Sequence, residues 1–143
     1  MVTSRIDVDG LRPLLRDMRR IERDLPKAMR RELLPISQTV LRGAQSKASG
    51  LGGVHAHAAR RGLRAGATQN TAWIRLLGNK EPTILGAEFG GGRRSTTRQF
   101  PPWRGANRNA GYFVYPTIRD KSDDIVRDLE AAVRTMLRLA GFR

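Results

Sequence analysis

The sequence predicts an α+β fold: two N-terminal helices and a C-terminal helix packed on a small, mainly antiparallel sheet. Three patterns carry that expectation. Apolar residues recur at intervals of three and four over the first third of the chain and again over its last twenty residues, the spacing of one helical face. Between them, Ala72-Trp73-Ile74-Arg75-Leu76-Leu77 has the composition and alternation of a strand. Glycine clusters at 50–53 and 90–92 punctuate the middle.

Taken in order, Ile6 and Val8 alternate with Asp7 and Asp9, which suits a short strand or an extended lead-in. From Gly10 the period changes, and Leu11, Leu14, Leu15, Met18, Ile21 and Leu25 line one side of a helix that Asp9 can cap. Its other side carries Arg12, Arg16, Arg19, Arg20 and Arg23, with Asp17, Glu22 and Asp24 placed to neutralise part of that charge. Pro26 suits the start of a second helix, whose stripe of Met29, Leu33, Ile36, Val40 and Ala44 runs to about Lys47. Pro35 lies inside that stripe and predicts a kink or a break.

Ser49-Gly50-Leu51-Gly52-Gly53 reads as a mobile linker, and Val54 to Leu63 as a short basic helix. Ala65 to Thr71 is the expected antiparallel partner of the 72–77 strand, in which Trp73, Arg75 and Leu77 share one face and Ile74 and Leu76 the other. Pro82 can open a short helix that reaches Phe89 and stops at Gly90. Asn107 to Gly111 form a polar turn, and Tyr112-Phe113-Val114-Tyr115 reads as a strand ended by Pro116. The final helix buries Ile125, Leu129, Ala132, Val133, Met136, Leu137 and Ala140, capped by Ser122, Asp123 or Asp120 and expected to cover the sheet.

A chain of 143 residues fits one domain, which buries about two thirds of the surface its unfolded form exposes. Its net charge is +14, with four lysines and 23 arginines against 13 acidic residues. Part of the arginine excess is what a GC-rich genome encodes, but the total charge is self-repelling and calls for a polyanion or an acidic protein surface. No cysteine is present, which removes disulfides and thiolate metal sites. No apolar run approaches the roughly 18 residues of a membrane span, and Met1-Val2-Thr3-Ser4-Arg5 lacks a signal-peptide core, so a soluble protein made in the cytoplasm is expected.

The stretch from Ile84 to Arg119 organises the rest. Gly90, Gly91 and Gly92 remove side-chain constraint, Arg93, Arg94 and Arg98 add charge, and Phe100-Pro101-Pro102-Trp103 stiffens the chain again. Such a loop, at about 90–103, loses much entropy on ordering, so it is left flexible or is ordered by a partner offering negative charge and packing surface.

Glu88-Phe89-Gly90 after a small-residue helix, a variable polar loop, a Phe-Pro pair and a last amphipathic helix resemble the tail-completion or head-to-tail joining (neck) proteins of long-tailed, lambda-like bacteriophages. Gly10-Leu11-Arg12-Pro13-Leu14 is similar to that family's N-terminal "G-L-x-x-L" helix, whereas Arg61-Gly62-Leu63-Arg64 departs from its "T-G-x-L" segment. The resemblance implies a structural virion protein without enzymatic activity or cofactor, made in the host cytoplasm and resident in the virion neck or tail. Copies would form a homo-oligomeric, hexameric ring at the head-proximal end of the tail, completing it or joining it to the head among other neck and tail proteins. Leu85, Phe89, Phe100 and Trp103 would be apolar anchors, Glu88 would help fix the loop, and Arg93, Arg94 and Arg98 would supply charge.

A tail terminator or minor tail protein, and a nonspecific DNA-binding protein, are the alternatives. Arg60, Arg61 and Arg64 are candidate contacts for DNA or an acidic partner. If these three and Arg93, Arg94 and Arg98 all met phosphates, log affinity would fall with log salt at a slope of about −5. Other chemistry has weaker support. His55 and His57 share a side only in an extended chain and have no completing ligands, and no serine has an evident base. Glu81 and Glu88 could share a helical face, but surface ion pairing explains such a pair more simply. Gly90-Gly91-Gly92-Arg93 lacks the Gly-Lys-Ser/Thr of a phosphate-binding loop, which argues against an NTPase.

Overall fold

A computed structural model describes residues 2–7 as backbone, residue 16, and residues 25–91, 99–105 and 108–141. Within these, strand β1 (Val2–Asp7) precedes the long helix α1 (Leu25–Leu51), helix α2 (Gly53–Arg61) and the hairpin β2 (Leu63–Ala67) and β3 (Thr71–Leu76). Three helices follow: α3 (Ile84–Phe89), α4 (Val114–Asp120) and α5 (Ser122–Leu139). The architecture is α+β, with a three-stranded antiparallel sheet in the order β1-β3-β2.

Helix α1 is the axis of the core. Met29, Leu33, Ile36, Val40, Ala44 and Ala48 form its buried face, and β2, β3, α2, α4 and α5 all pack on it. The side chains shrink to alanine toward the C-terminal end, where α2 folds back closely enough for Gln45 Nε2 to donate to the Ala59 carbonyl at 3.4 Å. In the hairpin, Leu63 pairs with Leu76, Ala65 with Ile74 and Ala67 with Ala72, so the inner face is apolar throughout. The alternation of Ile74 and Leu76 with Trp73 and Arg75 is as the strand pattern predicts: the first two are buried and the others half-buried.

Several expectations need correction. Pro35 does not break the helix, which runs unbroken to Leu51. Pro35 is on the exposed side, and so is Arg31, the residue four earlier whose carbonyl it cannot serve, so water is available there. Replacing Pro35 with alanine restores that bond and is expected to stabilise the fold by about 1 to 2 kcal/mol after the greater entropy of the unfolded chain is counted. A higher urea midpoint at unchanged m-value is the readout. The 49–53 linker is likewise absorbed into helix, with Gly52 alone separating α1 from α2.

The predicted strand at Tyr112–Tyr115 is instead the lead-in and first turn of α4, and the third strand of the sheet is β1, ending at Asp7. The partner of β3 is Leu63–Ala67 rather than 65–71, because Thr68 to Asn70 make the turn. Helix α5 packs chiefly on α1, not on the sheet, through Ile125, Leu129, Ala132 and Met136. No side chain caps it, since α4 runs into it through Lys121, and Asp120 instead pairs with Lys47 at 2.6 Å. The helix expected from Gly10 to Leu25 lies largely outside the described residues.

Candidate assembly interface

Helix α3 is short, and its inward face presents Ile84, Ala87 and, fully buried, Glu88. The Glu88 carboxylate accepts three backbone hydrogen bonds: Oε2 from the N–H groups of Phe113 (3.2 Å) and Val114 (2.8 Å), Oε1 from that of Tyr115 (3.1 Å). These are the groups a helix cannot satisfy within itself. The first four N–H groups of any α-helix lack intrahelical partners; in α4 three of them go to Glu88 and the fourth position is Pro116, which has no N–H. The first internal bond then forms, Thr117 N–H to the Phe113 carbonyl at 3.2 Å, and the Thr117 hydroxyl donates to the same oxygen at 2.6 Å.

This accounting explains why 112–115 does not extend as a strand. A buried anion against the positive end of a helix organises the residues that donate to it. Gly111, at φ +85°, admits the carboxylate: a Cβ there would collide with Glu88 Oε1. Surface ion pairing is therefore not the role of Glu88. Burial pushes its carboxyl above the ordinary carboxylate range, and the N–H groups of Val114, Tyr115, Phe113 and Tyr112 oppose that shift.

The same region holds both ends of the Gly/Arg loop. Gly91 N–H donates to the Pro101 carbonyl (2.9 Å), a parallel bridge joins Gly91 to Pro102, and Arg104 N–H donates to the Phe89 carbonyl (2.6 Å). The Tyr112 hydroxyl reaches the Pro102 carbonyl (2.7 Å), Gly111 N–H the Arg104 carbonyl (2.6 Å), and the Arg104 guanidinium lies 4.3 Å from the Tyr112 ring centroid. An unconstrained 90–103 segment is thus corrected at its two ends, where backbone bonds hold Gly91 and residues 101–104.

Of the anchors read from the sequence, Phe89 contacts Tyr115 and Trp103, with ring centroids 5.5 and 6.5 Å apart, and Phe100 lies against Gly86. Leu85 is 38% exposed and Trp103 56%. No family model, no curated protein and no solved structure matches the chain. Leu85, Glu88, Phe89, Phe100 and Trp103 are brought together around α3, while Arg93, Arg94 and Arg98 lie outside the described residues.

Arg60 and Arg61 end α2 and Arg64 lies in β2; all three are exposed. Glu81 does not share a helical face with Glu88: it precedes α3 and accepts from the Thr83 hydroxyl (2.6 Å) and N–H (3.4 Å), with His57 Nε2 3.6 Å away. The Thr83 bond is the main reason its carboxyl is held below the ordinary range. His55 and His57 point apart on α2, one buried and one exposed, and no metal-competent group of three His, Cys, Asp or Glu occurs among the described residues. His55 packs beside Tyr112 and Phe113 (centroids 5.0 and 6.0 Å), and burial lowers its affinity for a proton. No helix is long and apolar enough to cross a membrane among the described residues.

Sequence reasoning missed the helix-capping role of Glu88 and the part played by Tyr112, Tyr115 and Arg104. The available signal was Glu88 itself, a lone acid in the apolar run Ile84 to Phe89.

Proposed function

We propose that this chain is a structural virion protein of a tailed bacteriophage, forming a ring at the head-proximal end of the tail that completes the tail or joins it to the head. The observation that carries the reading is the backbone-bonded junction of Gly91 and Phe89 with residues 101–104 beside α3, with Leu85 and Trp103 exposed next to it. An exposed aromatic and an exposed aliphatic side chain on a backbone-bonded junction offer a partner packing surface that is already ordered, which lowers the entropy lost on association. The resemblance around Glu88-Phe89-Gly90 and the charge of +14 support the same reading. In it, Arg93, Arg94 and Arg98 dock on a neighbouring copy or adjoining ring, and the role is mechanical, without catalysis or cofactor.

Native mass measurement and negative-stain imaging of the purified chain, alone and with neck or tail-tube proteins, test it. Closed rings, hexameric for a six-fold tail, are expected. A chain that stays monomeric with every virion component overturns the proposal. Exchanging Leu85 for serine and Trp103 for alanine is expected to lower the urea midpoint only modestly, since both side chains are partly exposed, while weakening ring formation at least tenfold in a chain that still folds. A tail terminator or minor tail protein would form its ring on tail-tube protein alone, and the same mass measurement with that single component separates it.

A further inference from the structure

We propose that the outer face of the sheet, with Arg64 and Arg75 at its centre, binds the phosphate backbone of duplex DNA. The hairpin register sets Arg64 directly opposite Arg75 and Gly66 opposite Trp73, on the side away from the apolar pairs. Side chains at directly opposed positions have Cβ atoms about 4.5 to 5.5 Å apart, and like charges placed so are destabilising. Among the described residues neither arginine has an acidic partner: the ion pairs there are Lys47 with Asp120, His57 with Glu81 and Arg127 with Asp124. The exposed Arg60 and Arg61 end the helix that leads into β2, and Arg61 is partly offset by the carboxylate of Glu81. An anion with regularly spaced charges would relieve this repulsion.

Trp73 decides what kind of anion. Its ring lies across Gly66, where a Cβ would come within 2.6 Å of ring carbons, and the Arg75 guanidinium sits 4.0 Å from the ring centroid. The half-buried indole therefore holds the guanidinium in place and is not a free platform for stacking a base, which disfavours single-stranded nucleic acid. An arginine fixed in this way loses little entropy on meeting a phosphate. An acidic protein would need an apolar centre in its contact, yet the exposed large apolar side chains, Leu51, Leu85, Trp103, Val126 and Leu139, all lie off these strands. A strongly basic face whose indole, Trp73, has the Arg75 guanidinium over its ring fits the wet interfaces made with DNA. The inference rests on the sheet and not on the assembly reading; within a ring, it would turn this face toward the DNA passage.

The test is fluorescence anisotropy of a labelled duplex with the full chain over a salt series, with the chain's mass recorded in the same buffers. Failure to assemble therefore leaves this result intact. Arg64→Gln with Arg75→Gln is expected to weaken binding roughly tenfold or more and to make the log–log salt slope shallower by about 2, while Arg134→Gln with Arg138→Gln on α5 leaves the slope unchanged. The first pair should fold about as stably as the parent, because the repulsion removed offsets the lost guanidinium–indole contact. In a Trp103→Phe chain, the remaining Trp73 emission should change on adding duplex and recover with salt. Equal losses from the two pairs, an unresponsive Trp73, or polyglutamate competing as well as duplex at equal charge would each overturn the proposal.

Discussion

Replacing Glu88 with alanine is expected to destabilise the fold by about 3 to 5 kcal/mol, because the N–H groups of Phe113, Val114 and Tyr115, at and just before the start of α4, then lose their acceptor. Total stability of a domain this size is on the order of 5 to 15 kcal/mol, so the loss would remove a large share of it. Urea denaturation followed by circular dichroism measures it, and a loss under about 1 kcal/mol would refute the capping role. The Gln variant separates charge from shape. Because burial raises the folded-state pKa of Glu88 above its ordinary 4.5, the folded chain takes up that proton at higher pH than the unfolded one. The resulting contribution is fully present below the unfolded pKa and is lost as pH rises through the folded pKa. Wild-type stability relative to Glu88→Gln should therefore increase as pH falls through the raised folded-state pKa toward 4.5; a difference that shrinks on acidification contradicts the sign.

Phe113→Ala is the second large effect, at about 3 to 5 kcal/mol. Phe113 is fully buried, its ring meets the edge of His55 at 6.0 Å, and its backbone donates to Glu88 and accepts from Thr117. The truncation leaves a void beneath the lead-in to α4. Since Glu88 and Phe113 act on one structure, the double variant is expected to lose less than the sum of the single losses, by about 1 kcal/mol or more. Strict additivity in a urea double-mutant cycle would mean that ring and carboxylate stabilise separate parts of the protein.

Much of the fold was legible from local pattern. The buried stripe expected from Met29 to Ala44 continues to Ala48, the strand expected at 72–77 lies at 71–76, and the stop at Gly90 is where turn chemistry places it. The candidate site was legible as a set of residues, since Leu85, Glu88, Phe89, Phe100 and Trp103 do gather around α3, but not as a mechanism. Pro35 shows one reason: proline's cost in a helix depends on whether the orphaned carbonyl reaches water, and that depends on which side faces out. The acceptor for α4 shows another. Tyr112 to Tyr115 have the composition of a strand, and Pro116 looks like its end.

By itself, then, the sequence determined which faces of the helices are apolar, which segment makes the central strand, and a net charge of +14. These depend on residues three or four apart, or on simple sums. Tertiary structure alone decided that 114–120 is a helix and that Glu88 is an internal ligand rather than a surface charge. Donor and acceptor there are 25 to 27 residues apart, and only when the chain has folded does a buried carboxylate meet the N–H groups that make its burial tolerable.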